Sequence, residues 1–137
     1  MFQVFDLHNE AVSRLGLSVA AITTNTTTSG AIIDTAHYES LEFYLISGTI
    51  TDGTYTAQLW HGNDSGLSDA VQLTGEEVLG SVALVAANDN ATARIGYVGK
   101  KRYVQLRIVS TGVTTGGTIG AVAVLGTPHH GPAGVSV

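Results

Sequence analysis

The chain has 137 residues, 44% hydrophobic and only 12% charged, a balance that excludes a disordered acidic chain and suits one domain with a core of its own. Its formal charge of -5 removes the electrostatic basis for coating nucleic acid, and the lack of cysteine excludes disulfides and thiolate metal sites. With 17 glycines against 2 prolines, the composition points to a chain of many turns.

Residues 1–16 carry apolar Phe2, Val4, Phe5 and Leu7 but no basic stretch leading into an apolar core and a cleavage site. They are expected to form an arm that a partner orders, not a secretory signal. A strand over 17–23, a polar loop, and a strand over 31–33 follow. The pattern then strengthens: Leu41, Phe43 and Leu45 alternate with Glu42, Tyr44 and Ile46, and beyond a turn at 48–53, Tyr55, Ala57 and Leu59 alternate with Thr54, Thr56, Gln58 and Trp60. That period of two predicts a hairpin with one buried face. Residues 61–68 read as a loop, 70–73 as a weaker strand, 75–80 as a turn and 82–87 as a strand.

A strand over 93–98 is expected to turn tightly through Gly99, Lys100 and Lys101 into a strand over 103–109, where Val104, Leu106 and Ile108 share one face. A Thr/Gly loop then predicts another hairpin with the apolar strand 119–125, leaving 127–137 as a tail. Strands at this spacing, with no helical period between them, predict an all-β fold: a single-domain antiparallel β-sandwich over 17–126, jelly-roll-like in its winding. No segment reaches the roughly 20 apolar residues of a membrane span.

Catalytic chemistry finds little footing. The five histidines include no His-x-His pair, and His129 and His130, being adjacent, point opposite ways in an extended chain. Glu76 and Glu77 sit together in a turn, where two carboxylates seldom converge on one substrate. Residues 62–66 place Asp64 where a nucleophile elbow needs serine, and 115–120 lack the full dinucleotide glycine pattern. The expectation is a protein that is not an enzyme and holds neither cofactor nor metal.

Two kinds of residue stand out as interface candidates. Five of the six basic residues, Arg94, Lys100, Lys101, Arg102 and Arg107, fall in one expected hairpin of an acidic chain, and Lys100, Lys101 and Arg102 form its tip. Trp60 falls on the strand face opposite the core, where an outward indole needs something to cover it. The chain ends add Phe2, Phe5 and Leu7 at one terminus and His129 and His130 at the other.

The runs IGYVGKKRYV, VSTGVTTGG and AVLGTPHHGP, together with AIIDTAHYESLEFYLIS over 31–47, resemble small structural proteins of tailed bacteriophages that decorate or cement the capsid. The resemblance covers about two-thirds of the chain. It implies a homo-oligomer, dimer or trimer, that binds the major capsid protein on the virion surface after synthesis in the host bacterial cytoplasm, with no direct nucleic-acid contact. Two alternatives stand beside it: a virion-displayed carbohydrate-binding or host-adhesion sandwich using Trp60 with Tyr44 or Tyr55, and a neck or tail component.

Overall fold

The computed structural model describes residues 6–129. Among the described residues there are ten strands: β1 (Ala11–Ile22), β2 (Thr27–Asp34), β3 (Tyr38–Ile50), β4 (Thr54–Gly62), β5 (Val71–Gln72), β6 (Val78–Leu79), β7 (Ala83–Leu84), β8 (Thr92–Tyr97), β9 (Tyr103–Thr111) and β10 (Gly117–Pro128). Single 3-10 turns at Gly75–Glu77 and Ala86–Asn88 interrupt the region between β5 and β8. The first sheet runs β1-β10-β3-β8-β6 and the second β2-β9-β4-β5, with β7 also pairing with β4. All pairings are antiparallel. This is the expected β-sandwich, and its winding is that of a jelly roll: β1, β10, β3 and β8 face β2, β9, β4 and β5.

The expected alternation holds. Phe43, Leu45, Tyr55, Leu59, Val104, Leu106 and Ile108 point into the space between the sheets and are buried, while Glu42, Tyr44, Ile46 and Trp60 lie on the outer faces. Tyr55 sits wholly inside and donates its hydroxyl proton to the Asp52 carbonyl at 2.9 Å, which satisfies the polar tip of an otherwise apolar ring.

The expected hairpins do not form. β3 and β4 lie in opposite sheets, as do β8 and β9, and β9 and β10, so the chain crosses over the core at each of these turns. An inward-facing period of two is the same whether the next strand pairs alongside or packs opposite, so local pattern cannot tell a hairpin from an arch. The arch between β3 and β4 is instead tied at long range. Its Asp52 carboxylate accepts hydrogen bonds from the backbone N–H groups of Thr114, Thr115 and Gly116 in the loop before β10. Those bonds hold the Asp52 carboxyl below its usual pKa.

Strand limits also differ. β1 starts at Ala11, inside the stretch expected as an arm, because its register against β10 continues from Ile22 to Ala11. β10 extends to Pro128, paired with Tyr38. Of the strand expected at 82–87, only Ala83–Leu84 pairs as a strand before the chain turns at Ala86–Asn88.

The sheets converge where β1 passes β2. Both strands shift register there, β1 around Gly16 and β2 around Gly30. A Cβ on Gly30 would lie 2.0 Å from the Gly16 carbonyl oxygen and 2.9 Å from that of Leu106. Only glycine lets the backbones approach so closely.

Candidate interaction surfaces

One end of the sandwich gathers most of the sequence-predicted interface residues. The loop between β8 and β9 is held from below by Tyr97, whose hydroxyl accepts from the Lys101 N–H at 2.8 Å and donates to the Lys101 carbonyl at 3.0 Å. With the phenol proton so used, the His61 Nδ1–H of β4 donates to the same oxygen across 3.0 Å, and the two rings meet edge to face. His61 and Tyr97 come from opposite sheets, so this bond links the layers beneath the lysine loop. Arg102 leaves the loop sideways to make a two-pronged ion pair with Asp34, 2.8 and 2.9 Å. That guanidinium holds the Asp34 carboxyl below the usual range.

Both ends of the described residues meet the same region. Backbone N–H groups of Glu10 and Ala11 donate to the Leu7 carbonyl, closing a turn that leaves the Leu7 side chain exposed. His129 donates its N–H to the His37 carbonyl and sets Nε2 3.0 Å from Glu39. Leu7, Lys100, Lys101, Arg102 and His129 thus line one open concavity of about 1100 Å³, which continues onto the outer face of the first sheet beside Glu42 and Tyr44. Phe2, Phe5 and His130 lie outside the described residues.

The basic cluster expected in one hairpin is split. Arg94 projects from the outer face of the first sheet and Arg107 from that of the second, because β8 and β9 belong to different layers. With Arg102 paired, Lys100 and Lys101 remain as the free positive charge of the loop; neither makes an ion pair among the described residues.

Trp60 is not part of this end. It lies half-buried on the outer face of the second sheet, donates Nε1–H to Gln58 at 3.1 Å, and carries the Arg107 guanidinium 4.2 Å above its ring. Gln105 secures that cover, accepting from Arg107 at 2.8 Å and donating to the Gly30 carbonyl at 2.8 Å. The cover expected for Trp60 comes from the neighbouring strand of its own chain. The aromatic platform of the carbohydrate-binding alternative does not assemble, since Tyr55 is inside the core and Tyr44 is on the other sheet.

No protein-family model and no curated protein sequence matches the chain. Its fold is similar to that of part of the PBSX exported protein XepA. The crystal structure of XepA superposes with a TM-score of 0.57 at 15% identity, covering 100% of this chain and 43% of XepA. The chain therefore spans less than half the length of XepA, and at this identity the likeness is one of fold.

His61 and Tyr97 escaped sequence reasoning, which placed 61–68 in a loop; His61 is in fact the penultimate residue of β4 and 5% exposed. Burial pushes its imidazole pKa below the usual value. The unfolded chain therefore takes up a proton near pH 6.5 that the folded chain refuses, so stability rises with pH through that window and falls as pH drops below it. We expect urea midpoints to fall between pH 7.5 and 5.5, above the range in which the aspartates titrate, and His61→Gln to flatten the slope. An equal slope in the variant would remove His61 as its source.

Proposed function

We propose that this chain is a non-enzymatic structural protein of a tailed-phage virion, a decoration or cement protein that binds the assembled capsid shell through its lysine-loop end. The observation that carries the reading is the convergence of Leu7, Lys100, Lys101 and His129, drawn from both ends of the described residues and one loop, on a single open concavity. Convergence of this kind builds a contact surface: the exposed Leu7 and the two lysines share it with Glu10, Glu39 and Glu42, and the lysine loop is held beneath because Tyr97 and His61 clamp it. Support for the virion setting comes from the resemblance of 94–132 to phage structural proteins and from the shared fold with the phage-derived XepA.

In this reading the major capsid protein supplies an acidic patch, and the decoration protein acts as a homo-oligomer whose several loop ends bridge neighbouring capsomers. Each copy needs little affinity, since linked weak contacts bind as a set. Stabilisation follows because ligation of the assembled shell lowers its free energy relative to the separated parts.

The test is co-sedimentation of the purified protein with shells that lack it. Saturable binding at a symmetric stoichiometry is expected, and the double variant Lys100→Glu/Lys101→Glu should weaken it at least ~30-fold, the scale of two lost interfacial charge contacts. Binding to neck or tail assemblies but not to shells moves the protein elsewhere in the particle. Binding to free glycans and to no particle component overturns the reading.

A further inference from the structure

The two outer faces of the sandwich differ in a way the lysine-loop end does not explain. The second sheet turns polar residues outward around Trp60, and Arg107 and Gln105 close over it. The first sheet presents Leu15, Val19, Tyr44, Ile46, Leu79 and Val122, six of the eleven large hydrophobic residues that are exposed among the described residues. Five of them are contiguous, while Leu79 stands apart on β6 in the row of Gly96 and Glu42. Leu15, Val122 and Tyr44 stand in one row across β1, β10 and β3, and Tyr44 continues the row to Arg94 on β8. Ile46 lies two residues along β3, and Val19 lies over Gly120, where an added Cβ would meet it. Single exposed apolar residues are ordinary, but a continuous sheet face of them marks a surface that something covers.

We infer that this face is the contact between two copies of the chain, packed sheet against sheet in a homodimer. Charge favours a second copy over other occupants. The chain carries a net charge of -5, so two copies repel wherever their acidic surfaces meet. The outer face of β1, β10, β3, β8 and β6 escapes that penalty, holding one acid, Glu42, and one base, Arg94, on adjacent strands. Neither makes an ion pair within its own chain among the described residues. A self-complementary contact across a two-fold axis brings Arg94 of each copy toward Glu42 of the other.

The area is also adequate. Four strands by about six residues span roughly 400 Å² in projection at ordinary strand spacing and rise. Side-chain relief raises the accessible area toward the ~800 Å² that each member of a stable pair covers. Flat sheet faces pack at about 10 Å with interdigitating side chains, the arrangement already present inside each sandwich.

The inference deepens the homo-oligomer of the proposed function but needs no shell, so the two can fail separately. Analytical ultracentrifugation of the purified full chain, without shells, should show a concentration-dependent monomer–dimer equilibrium. Ile46→Glu should raise the dissociation constant at least ~30-fold, as burial of a charge at a contact centre does, while leaving the strand circular dichroism unchanged. Should Ile46→Glu misfold, the charge exchange decides: Glu42→Arg and Arg94→Glu each weaken the dimer, and the pair together restores it. Arg107→Gln on the opposite sheet should dimerise like the native chain. A native chain that stays monomeric at about 100 times the concentration expected of a micromolar dimer overturns the inference. So does a dimer that tolerates both Ile46→Glu and the single charge reversals. Loss of shell binding by Ile46→Glu in a chain that is monomeric throughout would assign the face to the shell.

Discussion

Truncating Phe43 to alanine should remove about 3–5 kcal/mol of stability, the range for deleting a buried aromatic ring from a core that collapses only partly around the void. Phe43 is 0% exposed, lies in a strand paired on both sides by β10 and β8, and its ring sits where a Cβ on Gly16 would be 3.1 Å away. No neighbour is free to refill the space. A domain of this size has roughly 5–15 kcal/mol in total, so the variant should fold with a much lower urea midpoint or not at all. The next residue provides the contrast. Tyr44→Ala, on the outer face, should change the stability of the monomer by less than about 1 kcal/mol, measured below the dimerisation range. Equal losses at the two positions would mean that the strand is not seated as described.

The second large effect is expected from the smallest substitution. Gly30→Ala places a methyl group against two backbone oxygens, those of Gly16 and Leu106, neither of which can rotate away as a side chain does. Relief requires β1 and β2 to separate, which should cost about 3 kcal/mol, the upper range for overpacking. Gly48→Ala is the matched control, since its added Cβ would rest 3.4 Å from the Thr118 side chain. It should lie within about 0.5 kcal/mol of the native chain. Denaturant midpoints for the three proteins decide the matter, and a Gly30 variant as stable as the Gly48 variant would dispose of the close approach.

These two positions also show what the amino-acid sequence reveals and what it hides. Phe43 was legible because inward and outward residues of a half-buried strand differ in polarity, and one strand suffices to display that difference. Gly30 falls by composition in the polar loop expected before residue 31, because glycine in a polar Thr/Ser context serves many backbones, and its actual partner, Gly16, belongs to another strand. The same limit explains the missed arches. Strand period records which face is buried, whereas the choice between pairing beside and packing opposite is made by residues far away, such as Asp52 holding Thr114, Thr115 and Gly116.

The interface candidates divide along similar lines. Lys100 and Lys101 are visible in the sequence as adjacent charges in a turn, and the structure brings Leu7 and His129 to them from the two ends of the described residues. Trp60 was correctly set outward, but its cover by Arg107 could not be read without the pairing of β4 with β9. The apolar face of the first sheet was written in the outward positions Tyr44 and Ile46. It became a patch only when Leu15 and Val122 were aligned beside Tyr44.

The strand order has a consequence for biosynthesis. β10 lies between β1 and β3, and β9 lies between β2 and β4, so the last two strands among the described residues are central ones. Until residues 103–128 have emerged, β1 has no partner for its sheet and β2 none for its own. The nascent chain therefore holds long unpaired edges through most of its synthesis, a state prone to aggregation and slow to resolve because nearly every pairing is distant in sequence. Closure of the sandwich waits for β9 and β10, and a message cut short before β10 leaves β3, β8 and β6 to pair while β1 has no partner.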